Sequence, residues 1–386
     1  IKYHIRNITS WSSPTRSANP ITNFPATSYT TYEPLGNVFI IAPWNYPFQL
    51  LITPLIGAIS AGNTAILKPS EISSNTSMVI KDIINNNFDP GLIKVFEGDK
   101  YITQDLLKFN FNHIFFTGNT EVGKIIYKSA ADKMIPVTLE LGGKSPCIVD
   151  SKINLKLAAK RIIWGKLINA GQTCIAPDYI LVNKEVKDKL ISELKLAIIN
   201  FYGNDVSLSK DYPRIINESN VIRLSTLIDN TKILYGGKYN VKDCYFEPTL
   251  IDNVSINSPI MSQEIFGPIL PIMTYDNIDE AIDIVQSKEK PLALYFFSNC
   301  KQKQNRILNE VSCGGVTIND TIMHFANNKL PFGGIGNSGI GKYHGKYSFL
   351  TFSNQKPVVR KKTWIDIPIR YAPFKNKLKI VKMLLG

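Results

Sequence analysis

A chain of 386 residues with 44% hydrophobic and 19% charged residues has room for about two to three domains and enough apolar mass for a large core. No run of 18 or more apolar residues occurs, and the first thirty residues lack the apolar centre of a secretory signal, so the chain reads as soluble. The formal charge of +13 gathers at the end, where residues 360–386 set eight basic residues against one acid, Asp366, and it is therefore no evidence of a nucleic-acid surface.

Residues 1–31 are polar and proline-punctuated, and they are expected to form an arm or bridging element together with 345–359. From 32 to 141, short apolar runs of strand length alternate with helical stretches. Strands are predicted over 37–42 (NVFIIA), 64–68 (TAILK), 92–96 (LIKVF) and 113–117 (HIFFT); helices are predicted from Pro47 to near Gly62, over 73–87, and from Thr120 onward. This alternation predicts a doubly wound, nucleotide-binding domain. The texture changes after Gly142: a helix over 155–167, a turn at Gly171 and a strand over 179–183 open a second α/β domain that runs to 344. Residues 360–386 are left as a basic tail. Its apolar positions Ile380, Val381, Leu384 and Leu385 fall at helical spacing among lysines, suited to lying on an anionic membrane, covering a substrate tunnel or packing on a dimer partner. The chain starts on Ile1 rather than Met and stops without an evident helix stop, so a fragment of a longer protein is one reading.

Five cysteines, an odd number widely spaced, argue against a disulfide framework and for a reducing, cytoplasmic setting. Four dispersed histidines offer no metal-ligand spacing, and no metal is predicted. The loop Gly118-Asn-Thr-Glu-Val-Gly123-Lys follows a strand and opens a helix, which suits a phosphate. It fails as a P-loop because Ile125 has no hydroxyl for magnesium, and as G-x-G-x-x-G because position 120 is Thr; the bland reading is a tight turn. Cys174, in Asn169-Ala-Gly-Gln-Thr-Cys-Ile, reads either as a small buried hydrophobe or, given the turn before it, as a nucleophile. Glu140, in Thr138-Leu-Glu-Leu-Gly-Gly-Lys, is either the partner of Lys144 or a general base of raised pKa at a pocket mouth.

Taken together, Ala42-Pro-Trp-Asn45-Tyr-Pro, Lys68-Pro-Ser-Glu71, Phe116-Thr117-Gly118-Asn-Thr-Glu-Val-Gly123, Glu140-Leu-Gly-Gly-Lys, Gly171-Gln-Thr-Cys174, Glu264-Ile-Phe266-Gly-Pro and Pro331-Phe-Gly-Gly334 resemble the aldehyde dehydrogenase superfamily, in that family's order. The wording around Cys174 and over 337–346 is similar to its class 3 branch, which includes the fatty aldehyde dehydrogenases. The likeness runs from about Tyr32 to Phe352.

The resemblance implies a Rossmann-like NAD-binding domain over 32–141, a catalytic domain over 142–344, and a bridging or oligomerisation element. It implies Cys174 as the nucleophile, Glu140 as the base that activates water, and Asn45 with the Cys174 N–H as oxyanion donors. Lys68 and Glu71 are implied as adenosine-ribose contacts, Thr117, Gly118 and Gly123 as the pyrophosphate side, and Glu264 with Phe266 as nicotinamide-ribose contacts. NAD is the expected cofactor, with NADP use possible, and the chain is expected to pair as a homodimer. Tyr46, Trp164 and Ile322 are expected to line a tunnel for an apolar aldehyde. Full-length members of the branch start with a helical stretch ahead of the part seen here, and its absence would expose apolar helix faces of the cofactor domain. Rival readings are an acylating enzyme using coenzyme A, a P-loop NTPase and a basic binding protein. Retention of Glu140 favours water as acceptor.

Overall fold

The computed structural model of the chain describes residues 1–228, 231–252, 254–374 and 377–385, the side chains of Leu384 and Leu385 excepted. Two sheets carry the fold. The first runs, in space, Gly339–Ile340, Val137–Glu140, His113–Thr117, Asn37–Ile41, Thr64–Lys68, Ile93–Val95. Every neighbouring pair is parallel except Gly339–Ile340 against Val137–Glu140. Buried strands such as Asn37–Ile41 and His113–Thr117 read as unbroken apolar runs because parallel sheets are covered on both faces. Helices Gln49–Ser60, Ser74–Asn87 and Thr120–Ala131 make the crossovers. The first of these starts at Gln49 rather than Pro47, although Leu50 N–H already bonds the Tyr46 carbonyl at 2.9 Å. Along the chain, the winding proceeds one way from Asn37–Ile41 and then the other way from His113–Thr117. That reversal opens a crevice at the carboxyl ends of these two strands, where open α/β sheets bind ligands.

Directly after Glu140, residues 141–145 cross to the second sheet, ordered Lys232–Tyr235, Thr249–Asp252, Ile269–Tyr275, Tyr179–Asn183, Pro146–Val149, Ala293–Phe297, Gly315–Ile318. It too is parallel except at its Lys232–Tyr235 edge. Gly339–Ile340, far along the chain, returns to complete the first sheet. The two flanks meet in a third, antiparallel sheet of Thr15–Ser17, Ala26–Pro34 and Ser353–Lys361. Helix Lys2–Ser12 buries Trp11 against Phe349, and His4 bonds Ser60 at 2.8 Å. The buried amide of Asn63 receives the Gly36 N–H and donates to the carbonyls of Ala58 and Phe352, tying helix, strand and C-terminal flank together. On the outer face of Ser74–Asn87, Met78, Val79 and Ile83 are exposed. Helix Leu378–Leu385 closes the described chain, while Lys375 and Asn376 lie outside the described residues.

His113 is buried between Thr138, whose hydroxyl meets its Nε2 at 3.0 Å, and the ring of Phe352. Burial alone pushes its pKa down to about 4, against an ordinary 6.5. The unfolded chain takes up that proton first as pH falls, so the stability tied to neutral His113 is whole above 6.5 and lost as pH drops to about 4. His4, His324 and His344 are lowered to about 4 as well. Urea denaturation at pH 7 and pH 4 should show a fall in unfolding free energy of which about 3 kcal/mol disappears in His113→Gln. An unchanged fall in that variant would contradict the assignment.

Candidate active site

Helix Leu155–Leu167 ends in a chain reversal: Asn169 and Ala170 (φ 51° each) and Gly171 (φ 77°) are all left-handed. Only glycine fits at 171, because a Cβ there would strike the Gly267 carbonyl. The turn swings Gln172-Thr173-Cys174 back toward the first sheet. Gln172 is buried and holds it in place: its amide donates to the carbonyls of Asn169 (3.0 Å) and Arg214 (3.1 Å) and accepts from Ile216 N–H (2.9 Å). The Asn45 side chain donates to the Gln172 carbonyl at 2.9 Å, and Asn169 donates to the Asn45 carbonyl at 2.9 Å. Tyr46 OH meets the Thr173 hydroxyl at 2.7 Å. Asn45 is thereby clasped to the loop that carries Cys174.

Cys174 is half-buried. Burial, then the negative charge of Glu264, then that of Glu140, push its thiol above the usual range, while the backbone N–H groups of Cys174 and Ile175 pull it down. The charge of both carboxylates therefore reaches the sulfur. Glu140 ends its strand fully buried, and neither oxygen has a hydrogen-bond partner among the described residues. Burial lifts its carboxyl well above the usual range, with Lys342 opposing. Gly333 makes room for it, since a Cβ there would lie 2.7 Å from Glu140 Oε1. The sequence-based pairing of Glu140 with Lys144 does not form. Lys144 instead bonds Asp178 and the carbonyls of Ile260 (2.9 Å) and Gln263 (3.0 Å). Asp178 also receives the Ile265 N–H at 3.0 Å, and Arg223 donates to the Ile265 carbonyl at 2.8 Å. These bonds fix the segment that carries Glu264 and Phe266.

Glu264 fills the space that a Cβ on Gly142 would occupy, which accounts for the first glycine of Leu-Gly-Gly-Lys. Phe266 takes a left-handed φ of 49° and sets its ring edge-on to Trp44, 5.5 Å between centroids. On the first sheet, Lys68 is buried at its strand end and donates to the Pro69 carbonyl (2.7 Å) and to Glu71 (3.3 Å), itself partly exposed. Thr117 ends strand His113–Thr117, on the other side of Asn37–Ile41, with a buried hydroxyl that has no partner among the described residues. Gly118 and Gly123 are not turn glycines, for neither has a positive φ; their Cβ positions are taken by the Phe116 ring and the Leu141 side chain. Lys124 points outward to Glu121 at 2.9 Å, as no P-loop lysine would. Lys68, Thr117, Asn45 and Glu140 all sit at or just beyond carboxyl ends of parallel strands, and Thr117 and Glu140 keep unpartnered oxygens there. A ligand rich in hydroxyls and phosphates fits that set.

Beside Asn45 opens a cleft of about 760 Å3 lined by Tyr46, Phe48, Trp164, Ile168, Tyr202 and Tyr212 among others, with Lys210 and Asp211 in its wall. Tyr46 and Trp164 are there as expected. Ile322 is not: it is buried ahead of the short helix Met323–Ala326. Tyr202 and Tyr212 carried no sequence signal, since they come from outside every motif.

A doubly wound sheet whose ligand crevice faces a cysteine loop from a second α/β sheet defines a nucleotide-dependent oxidoreductase built around a thiol. The model of the aldehyde dehydrogenase family matches residues 4–358, and the chain belongs to that family. It is 50% identical over 384 residues to the 4,4'-diaponeurosporen-aldehyde dehydrogenase of Staphylococcus aureus, covering 99% of this chain and 84% of that one. It is 50% identical over 334 residues to rat aldehyde dehydrogenase family 3 member A2, covering 86% and 69%. Among solved structures, the substrate-bound state of Staphylococcus aureus AldH superposes with a TM-score of 0.97 at 49% identity, covering 100% of this chain and 84% of that one. Mycobacterium tuberculosis aldehyde dehydrogenase complexed with NAD+ gives 0.85 at 25% identity, covering 95% and 76%. The chain is thus an aldehyde dehydrogenase, and it is the Mycobacterium tuberculosis neighbour that holds NAD+.

Proposed function

We propose that this chain oxidises an apolar aldehyde, aliphatic of medium or long chain or aromatic, to its carboxylate with NAD(P)+ and water through a thioester on Cys174. The observation that carries the reading is that Asn45, which walls an aromatic cleft, is hydrogen-bonded to the loop of Cys174, a thiol that feels the charge of the Glu140 carboxylate, itself unpartnered among the described residues. Cys174 gives up its proton to water, its thiolate adds to the aldehyde carbon as the C=O π bond opens, and negative charge gathers on the aldehyde oxygen. One N–H of the Asn45 amide is held by Gln172, so the other, with the Cys174 N–H, receives that oxygen; such a donor is worth about 3 kcal/mol. Bound NAD(P) would supply the acceptor for the hydride that leaves this carbon as the carbonyl of the thioester re-forms. Lys68 and Glu71 would hold its adenosine ribose, Thr117 with the Gly118 and Gly123 loop its pyrophosphate, and Glu264 with Phe266 its nicotinamide ribose. Glu140 then takes a proton from the water that attacks the thioester. Only ionised Glu140 can do so, and its pKa is raised, so thioester hydrolysis should speed up as pH rises. Water rather than coenzyme A is the acceptor this carboxylate serves.

The cleft walls Tyr46, Trp164, Tyr202 and Tyr212 support an apolar substrate, and the Staphylococcus aureus relative is named for 4,4'-diaponeurosporen-aldehyde. At the tail, exposed Leu378, Ile380 and Met383 lie among Lys379 and Lys382 in one helix, which supports peripheral contact with an anionic membrane. No helix among the described residues is long and apolar enough to cross a membrane.

Two measurements test these readings. Cys174→Ala should abolish oxidation, whereas Glu140→Gln should give one pre-steady-state burst of reduced cofactor per site and then stall; normal steady turnover in Glu140→Gln would remove that residue from the mechanism. Liposomes of anionic lipid should sediment the intact chain at low salt and release it at high salt, while a chain ending at Lys362 stays in solution. Equal sedimentation of both would sink the membrane reading.

A further inference from the structure

Cys174 stands second in a tight turn, closed where the Ala176 N–H meets the Thr173 carbonyl at 2.9 Å. That bond spans the turn without fixing its tilt, so the aim of the sulfur depends on what grips the turn from outside. The residues on either side of Cys174 are each gripped by a tyrosine hydroxyl. Tyr46 OH meets the Thr173 hydroxyl at 2.7 Å, and Tyr295 donates its hydroxyl to the Ile175 carbonyl. The two tyrosines come from different sheets: Tyr46 from the connection between strand Asn37–Ile41 and helix Gln49–Ser60, Tyr295 from the middle of strand Ala293–Phe297. Tyr295 is fully buried, and its oxygen accepts the Ile322 N–H, so its one proton is left for Ile175. Tyr46 gives its ring to the wall of the aromatic cleft and only its hydroxyl to the turn.

We propose that Tyr46 and Tyr295 are positioning residues whose hydroxyls hold the residues before and after Cys174, setting its sulfur and its N–H together for attack on the aldehyde. The proposal rests on the reading of Cys174 as the nucleophile. Asn45 and Tyr46, consecutive in the chain, grip the consecutive Gln172 and Thr173, the first through the Gln172 carbonyl and the second through the Thr173 hydroxyl. Nucleophile and oxyanion donor must serve one carbon at once, so a tilt of the turn misdirects both, and a misplacement of about 1 Å can cost on the order of a hundredfold in rate. Burial raises both phenols above their usual range, and a charge on Cys174 raises them further, against the bonds from Thr173 and Ile322. The two halves of Tyr46 have separable signatures: its ring acts on the substrate and so on KM, its hydroxyl on the nucleophile and so on the rate of the chemical step.

The test uses the full chain in rapid mixing and reads the burst of reduced cofactor at saturating NAD+ with hexanal and with decanal. Tyr46→Phe keeps the ring and removes the hydroxyl; it should slow the burst about tenfold for both aldehydes while KM and NAD+ affinity stay in place. Thr173→Val should slow it by a similar factor, the double variant should be no slower than either alone, and Thr173→Ser should regain most of the rate lost in Thr173→Val. Tyr295→Phe, accepted as folded on an unchanged circular dichroism spectrum, should slow the burst as well, and a native rate there would overturn its half of the proposal. A native burst in Tyr46→Phe, or losses that multiply in the double variant, would overturn the other half. A loss confined to KM for decanal would make Tyr46 a wall residue alone and overturn that half too. A burst that survives Cys174→Ala would instead overturn the reading of the nucleophile beneath both.

Discussion

Cys174 can face both carboxylates only because the chain reverses through three consecutive left-handed residues before it. Non-glycine residues in that conformation cost on the order of 1 kcal/mol or more each, and Asn169 and Ala170 both bear it. Three hydrogen bonds of the buried Gln172 side chain, each contributing roughly 1 kcal/mol, offset the strain. Because the Gln172 carbonyl is also the acceptor for Asn45, Asn45 and the loop that carries Cys174 form one unit before any substrate arrives. Pre-set donors need no reorganisation at the moment charge develops, which is where electrostatic catalysis gains its advantage.

A second constraint is the sign of the field. Glu264 and Glu140 both disfavour negative charge on the sulfur, so the resting thiol is held neutral. A neutral, half-buried thiol resists oxidation, since attack on oxidants needs the thiolate. Burial raises the Glu140 carboxyl as well, with Lys342 opposing, and among the described residues its oxygens have no partner that would fix their position. In the proposed reaction the two groups divide the work: addition at Cys174, then proton removal from water at Glu140.

Much of the first sheet was legible in the sequence because its strands, covered on both faces, leave unbroken apolar runs such as residues 37–41, and Gly62, with φ of 88°, marks a helix end. The membership of Cys174 and Glu140 in one site was legible only through family likeness, for they belong to different sheets and meet through the topology of strand ends. Local spacing misled where tertiary geometry took over. Lys144 is near Glu140 in sequence, but the crossing between sheets carries it to Asp178. Gly118 and Gly123 look like loop glycines, yet side chains of Phe116 and Leu141 are what forbid a Cβ. Gln172 reads as a polar turn residue and is a buried clamp.

The claim on which the rest depends is that carbon from the aldehyde is carried on Cys174. Peptide mass spectrometry of the Glu140→Gln chain, quenched in acid after mixing with NAD+ and a long-chain aldehyde such as hexadecanal, measures it directly. The account predicts one acyl group per chain, on the peptide containing Cys174, released by hydroxylamine and absent without NAD+. Acyl groups on another residue, or none while reduced cofactor accumulates, would contradict it.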